Sequence, residues 1–248
     1  MSLSHDRHDF KLETSFETNP RCIVHTAHES DPELEIRKVV VQERWVPRKP
    51  ESGFGLFGPV RLEEQLDPSP DCARVQRAVK VLHKQRMKRR NFDYRKELLA
   101  LAKFSRSKFV LYYVEFLGWF EDDNRIYLAM ENLHLGTLKT FINDDLKECD
   151  AQVISVQLLE GLKIMHEEGF THRDLKPENI FVVQSAQKWW VKIGGFESVN
   201  EPRTTIPRCS QQQGHHHIGH RKLSTSSSRD MRILTNILMR WIYGPSGV

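Results

Sequence analysis

Residues 172–179, His-Arg-Asp-Leu-Lys-Pro-Glu-Asn, set Asp174, Lys176 and Asn179 within six residues, and they lie between two segments of different period. Ahead of them, residues 152–166 carry Val153, Val156, Leu159, Leu162, Ile164 and Met165 at helical spacing, and Gly169 suits a C-terminal stop. Behind them, residues 180–183 and 189–193 are short apolar runs that bracket polar residues 184–188, the pattern of a small hairpin. Helix, charged loop and hairpin in that order fix a place where the chain passes from helical packing to strand pairing.

The sequence before this point is mostly sheet-like. Residues 1–30 mix Ser, His, Asp and Thr without period and read as a loosely ordered extension. Residues 35–45 read as a strand that is an edge or stops at Pro47, since proline cannot donate to a ladder. Residues 60–66 and 75–82 form a predicted hairpin around a proline-rich turn at 67–71. Residues 92–104 switch to helical spacing, with Asn91 placed to cap. Residues 116–120 and 125–130 flank Glu121-Asp122-Asp123-Asn124 as a second hairpin. Helical periodicity returns at 231–243, after biased tracts of Gln, His and Ser.

Three further patterns stand in order along this frame. Gly53, Gly55, Gly58 and Val60 fit GxGxxGxV, a spacing that a tight glycine turn also explains. Ala78-Val79-Lys80 lies on the next predicted strand, and Glu97 lies on the helix after it. Met130-Glu131-Asn132 closes the second hairpin. Taken singly, Lys80 reads as a strand lysine, Glu97 as a solvated helix residue and Val60 and Ala78 as core. Taken in order with residues 172–179, they resemble a eukaryotic-type Ser/Thr protein kinase domain over residues 44–197.

The resemblance implies an α+β, bilobal protein-kinase-like fold: an antiparallel-sheet small lobe at 44–131, a mostly helical large lobe at 132–248, and an N-terminal extension at 1–43. It implies ATP and magnesium as cofactors and a protein Ser or Thr as acceptor. Asp174 would accept the hydroxyl proton, Lys176 would steady the transferring phosphate, and Lys80, paired with Glu97, would grip the α and β phosphates. Gly53, Gly55 and Gly58 would cover the phosphates. Val60 and Ala78 would roof the adenine, with Met130 as gatekeeper and the backbone of Glu131 and Leu133 along its edge. Asn179 would hold the metal.

The chain departs from the family pattern in two places. Gly195-Phe196-Glu197 stands where the family has Asp-Phe-Gly, so the metal-binding carboxylate is replaced by glycine. An aspartate restored at 195 is therefore expected to restore magnesium dependence. No Ala-Pro-Glu closes the following segment, and Gly214 and four histidines occupy residues 214–220. The chain ends at Val248, before the family's last helices, so the resemblance implies a shortened large lobe with apolar helix faces left for a partner. Two activities are compatible with this: a kinase impaired at Gly195, or a pseudokinase that acts as a nucleotide-binding or scaffold module.

Composition limits the remaining classes. Net charge is +4, drawn largely from residues 80–90, too mild for nucleic-acid binding without a matching motif. Four widely spaced cysteines form no CxxC pair, which suggests reduced thiols in the cytoplasm or nucleus. No segment reaches the roughly 20 apolar residues of a membrane helix, and the charged start is no secretory signal.

Overall fold

The computed structural model describes residues 10–18, 21–30, 38–48, 52–54, 58–68, 74–142, 146–185 and 188–199. Gly55, the tract at 214–220 and the periodic segment 231–243 lie outside the described residues. The chain divides into two compact units at His134/Leu135.

The first unit is built on an antiparallel sheet. Its strands are β1 (Glu13–Thr18), β2 (Arg21–Ser30), β3 (Lys38–Pro47), β4 (Ser52–Phe54), β5 (Pro59–Leu66), β6 (Gln76–His83), β7 (Phe116–Glu121) and β8 (Arg125–Glu131). The order is β1-β2-β3-β5-β6-β8-β7, with β4 paired to β5. Both hairpins expected around residues 67 and 122 form, and β3 stops at Pro47, where the ladder loses a donor.

Residues 13–18 and 21–30 depart from expectation. They are not a loosely ordered extension but two strands, β2 pairing with β3 from Ile23↔Trp45 to Ser30↔Lys38. The lead-in to β1 then reaches the opposite edge: Leu12 N–H donates to the Trp119 carbonyl (2.8 Å) and Trp119 N–H to the Phe10 carbonyl (2.9 Å). Gly118 permits this close crossing, because a Cβ there would lie 2.8 Å from Leu12. The sheet thus curls round and covers its own β7 edge, which removes a row of exposed ladder groups. Polar composition hides these strands, since their stability comes from pairing at both ends of the sheet.

Curling encloses a core of Ile23, Trp45, Val79, Val81, Phe120, Tyr127 and Ala129. It also encloses charge. Glu63 (0% exposed) accepts from Arg61 Nε (2.8 Å) through one carboxylate oxygen and from Arg77 Nε (2.9 Å) through the other. The Arg77 guanidinium lies 4.2 Å from the Trp45 ring centre. It also donates to His25 Nε2 (2.7 Å), which fixes the tautomer: arginine only donates, so Nε2 accepts and Nδ1–H faces the Thr14 hydroxyl at 2.8 Å. Burial, followed by the charge of Arg77, pushes the His25 pKa down to about 3.

Two helices follow β6. The basic run forms α1 (Lys84–Arg89), and α2 (Tyr94–Phe104) comes next. The cap of α2 is Asp93, whose carboxylate accepts from Arg95 N–H (3.1 Å), rather than Asn91, which lies in the left-handed region at φ 49°. Leu98, Leu99, Leu101 and Phe104 are buried, and the Phe104 ring lies tilted at 4.5 Å from that of Tyr113.

The second unit carries α3 (Glu148–Glu167) and a hairpin, β9 (Ile180–Gln184) with β10 (Trp190–Ile193). The expected helix and hairpin are present, but the buried face of α3 is offset. Ala151, Ile154, Ser155, Leu158, Gly161 and Met165 are buried, whereas Val153 is 46% exposed. Small residues set that face, because they allow close backbone approach, and they add little to apolar periodicity. Gln157 ties helix to hairpin, accepting from Val191 N–H (3.0 Å) and donating to the Trp189 carbonyl (2.8 Å). Among the described residues no helix is long and apolar enough to cross a membrane.

Candidate functional site

Side-chain alternation sorts the residues of the first unit. Positions two apart on a strand share a face, and so do directly paired residues on neighbouring strands. Lys80 stands opposite Val60 and Leu128, and Ala78 opposite Leu62 and Met130. Val60, Ala78, Lys80 and Met130 therefore share one face, while Arg61, Glu63, Arg77 and Val79 occupy the other. On the first face Leu128 is fully buried, but Val60, Ala78 and Met130 are only half-buried, leaving apolar surface beside a lysine.

That lysine is already engaged. Lys80 Nζ donates to Glu97 Oε1 at 2.6 Å, with side chains only 8% and 3% exposed. The helix places Glu97 in its first turn, where a carboxylate also complements the helix dipole. Removing either partner would leave a buried charge, a change that costs about 3–5 kcal/mol in such pairs.

Gly53 lies in β4 and Gly58 against the Val81 carbonyl, where a Cβ would not fit. At the end of β8, Glu131 and Glu115 clasp each other: Glu131 N–H donates to the Glu115 carbonyl (3.0 Å) and Glu115 N–H to Glu131 Oε1 (2.7 Å). Asn132 Nδ2 donates to Gln76 Oε1 (3.1 Å), and Leu133 is half-buried beyond it.

In the second unit, residues 172–179 form a tight polar loop. Arg173 adopts φ 64°, a left-handed conformation costing roughly 1–2 kcal/mol for an L-residue, so its surroundings must hold it. His172 is one anchor. Its Nε2–H donates to the Gly194 carbonyl (2.8 Å), which leaves Nδ1 facing Asp174 N–H at 3.4 Å. Burial lowers its pKa, with the Gly194 bond opposing. Its ring lies 5.9 Å from Phe196. The family resemblance implies Phe196 packing near His172, as the ring separation bears out, but nothing in the sequence signals the hydrogen bond by which His172 anchors the loop.

The Asp174 carboxylate is shared. Oδ2 accepts from Lys176 Nζ (2.8 Å) and from Asn179 Nδ2 (3.2 Å), and Asn179 Nδ2 also donates to the Asp174 carbonyl (2.8 Å). The bond to Asp174 raises the Lys176 pKa, although both side chains remain substantially exposed. The loop thus brings together Asp174, Lys176 and Asn179.

Magnesium does not fit the donors present. It favours octahedral oxygen ligands, usually one or two carboxylates with phosphates and waters. Here Gly195 contributes no side chain, Asp174 Oδ2 is committed to Lys176 and Asn179, and the loop's other side-chain oxygens are Asp174 Oδ1 and the neutral Asn179 amide oxygen. Among the described residues no group of three or more His, Cys, Asp or Glu is placed to hold a metal.

Comparison with known proteins agrees with this arrangement. Residues 53–216 match the family model of the protein kinase domain. Over 146 residues the chain is 31% identical to a calcium/calmodulin-dependent protein kinase type 1 from Macrobrachium nipponense, covering 58% of this chain and 40% of that protein. It is 30% identical over 152 residues to the serine/threonine-protein kinase ksp1 of Schizosaccharomyces pombe, covering 57% and 30%. It is 29% identical over 168 residues to the human serine/threonine-protein kinase STK11, covering 65% and 37%. The chain spans less than half the length of each of these relatives.

Proposed function

Because the chain belongs to the protein kinase family, we propose that it is a Ser/Thr-kinase-type pseudokinase, a module that binds ATP on the Lys80 face and transfers phosphate poorly. In this reading residues 44–131 are the nucleotide-covering lobe, and the lobe from residue 132 carries the loop. Val60, Ala78 and Met130 supply the apolar surface for adenine, with the backbone of Glu131 and Leu133 along its edge, and Gly53, Gly55 and Gly58 belong to the stretch that covers the phosphates. Lys80, held by Glu97, supplies the positive charge for the phosphates. The observation that carries the reading is Gly195, which offers no carboxylate at the family's metal position. Metal-bridged phosphates account for several kcal/mol of transition-state stabilisation in this chemistry, and Gly195 itself brings no side chain to supply that contribution.

The Lys176–Asp174 pair favours a second reading, an impaired enzyme that transfers the γ-phosphoryl of ATP to protein Ser or Thr. Asp174 would accept the hydroxyl proton and Lys176 would steady the phosphate. Labelled-phosphate transfer to a generic Ser/Thr protein substrate separates the two. The proposal expects the protein and its Asp174→Asn variant to give the same background rate; a rate at least tenfold above that variant favours the enzyme.

A further inference from the structure

The glycine at 195 is more than a missing carboxylate. Gly194 N–H donates to the Asn179 carbonyl (2.9 Å), which clips the end of β10 against the loop. Gly195 follows at φ 75°, in the left-handed region. A Cβ on it would lie 2.3 Å from Asn179 Cγ, 2.4 Å from Oδ1 and 2.8 Å from Nδ2, so the Asn179 carboxamide fills the space that a side chain at 195 needs.

Asn179 cannot yield that space freely. It is buried, its N–H donates to the Lys176 carbonyl (2.9 Å), and its Nδ2 holds both the carbonyl and the carboxylate of Asp174. Swinging the carboxamide aside to admit another side chain breaks its bonds to Asp174. Those two acceptors would then lose their buried donor.

We infer that Gly195 and Asn179 form a mutually exclusive pair: the Asn179 carboxamide occupies the volume of the absent residue-195 side chain and uses it to hold Asp174. Asn179 is thereby a positioning residue for Asp174, through its Nδ2. The inference rests on reading Gly195 as the family's metal-carboxylate position. It reverses the simple expectation from sequence, because an aspartate at 195 displaces Asn179 before it can serve a cation.

The test is a double-mutant cycle of thermal unfolding without nucleotide, so that its outcome does not depend on whether ATP binds. Gly195→Ala carries left-handed backbone strain in any background, but it meets Asn179 only where Asn179 is present. The expected result is a melting-point loss at least about 2 °C larger in the Asn179 protein than in the Asn179→Ala protein. Equal losses in the two backgrounds overturn the inference. A second arm uses ATP with magnesium or with EDTA. Gly195→Asp alone is expected to give the same ATP-induced shift in both, and Gly195→Asp with Asn179→Ala a larger shift in magnesium. A magnesium-dependent rise for Gly195→Asp alone also overturns it. Should the aspartate variant fail to fold, the alanine cycle decides.

Discussion

Strand β6 and the loop at 172–179 each pair a lysine with a carboxylate, and they do so under opposite conditions. Lys80 and Glu97 meet at 2.6 Å with side chains 8% and 3% exposed; Lys176 and Asp174 meet at 2.8 Å with side chains 46% and 34% exposed. The first pair is held by a sheet and a helix, and breaking it strands a charge away from water. The second is screened by solvent and worth little to stability. Rigidity is thus concentrated where phosphates would be gripped, while the carboxylate that would take a proton is held by the soft Lys176 pair and the buried Asn179 amide.

The largest effect expected on this contrast comes from behind the Lys80 face. Glu63→Ala leaves Arg61 and Arg77 buried without their carboxylate and should destabilise by about 3–5 kcal/mol in chemical denaturation. A loss below about 1 kcal/mol would mean that the curled sheet admits water, and the rigid side of the comparison would fail. Lys80→Met should cost roughly 3 kcal/mol and abolish ATP-induced stabilisation. Retention of the full ATP shift would place the nucleotide elsewhere.

Acid should act on the first unit through His25. Its folded pKa, about 3, lies below the ordinary value of 6.5, so the unfolded chain takes up the proton first. Stability is therefore fully present above about pH 6.5 and falls as the pH drops toward 3, by about 2 kcal/mol at pH 5. Buried His172 adds a loss of the same sign. Unfolding measured at pH 7 and pH 5 should show a smaller difference for His25→Gln than for the parent. An undiminished difference would remove His25 from the account. The smallest effect is expected at the loop: Lys176→Met should change stability by less than about 1 kcal/mol. A loss comparable to that of Lys80→Met would erase the distinction between the two pairs.

The same contrast explains what could be read from the sequence. Lys80, Ala78, Val60 and Glu97 were legible only through their order along the chain, which resembles the kinase pattern; singly they read as a strand lysine, core residues and a solvated helix residue. Arg61, Glu63 and Arg77 alternate with apolar residues as a solvent-facing edge does, and only closure of the sheet by residues 10–30 turns them inward. Those residues were illegible because β1 is polar and its partners lie far away in the chain. The α3 face was displaced because Ala151, Ser155 and Gly161 pack closely without contributing apolar periodicity. At the loop, the lack of a carboxylate at Gly195 could be read directly. Its occupation by Asn179 could not, because it depends on the Gly194-to-Asn179 backbone bond.

In the proposed function, the nucleotide site on the Lys80 face does not require a divalent cation. Calorimetric titration of the purified chain with ATP, once in magnesium and once in EDTA, tests it most directly. Binding of equal affinity in both is expected; affinity at least tenfold tighter in magnesium, or no binding in either, rules such a site out.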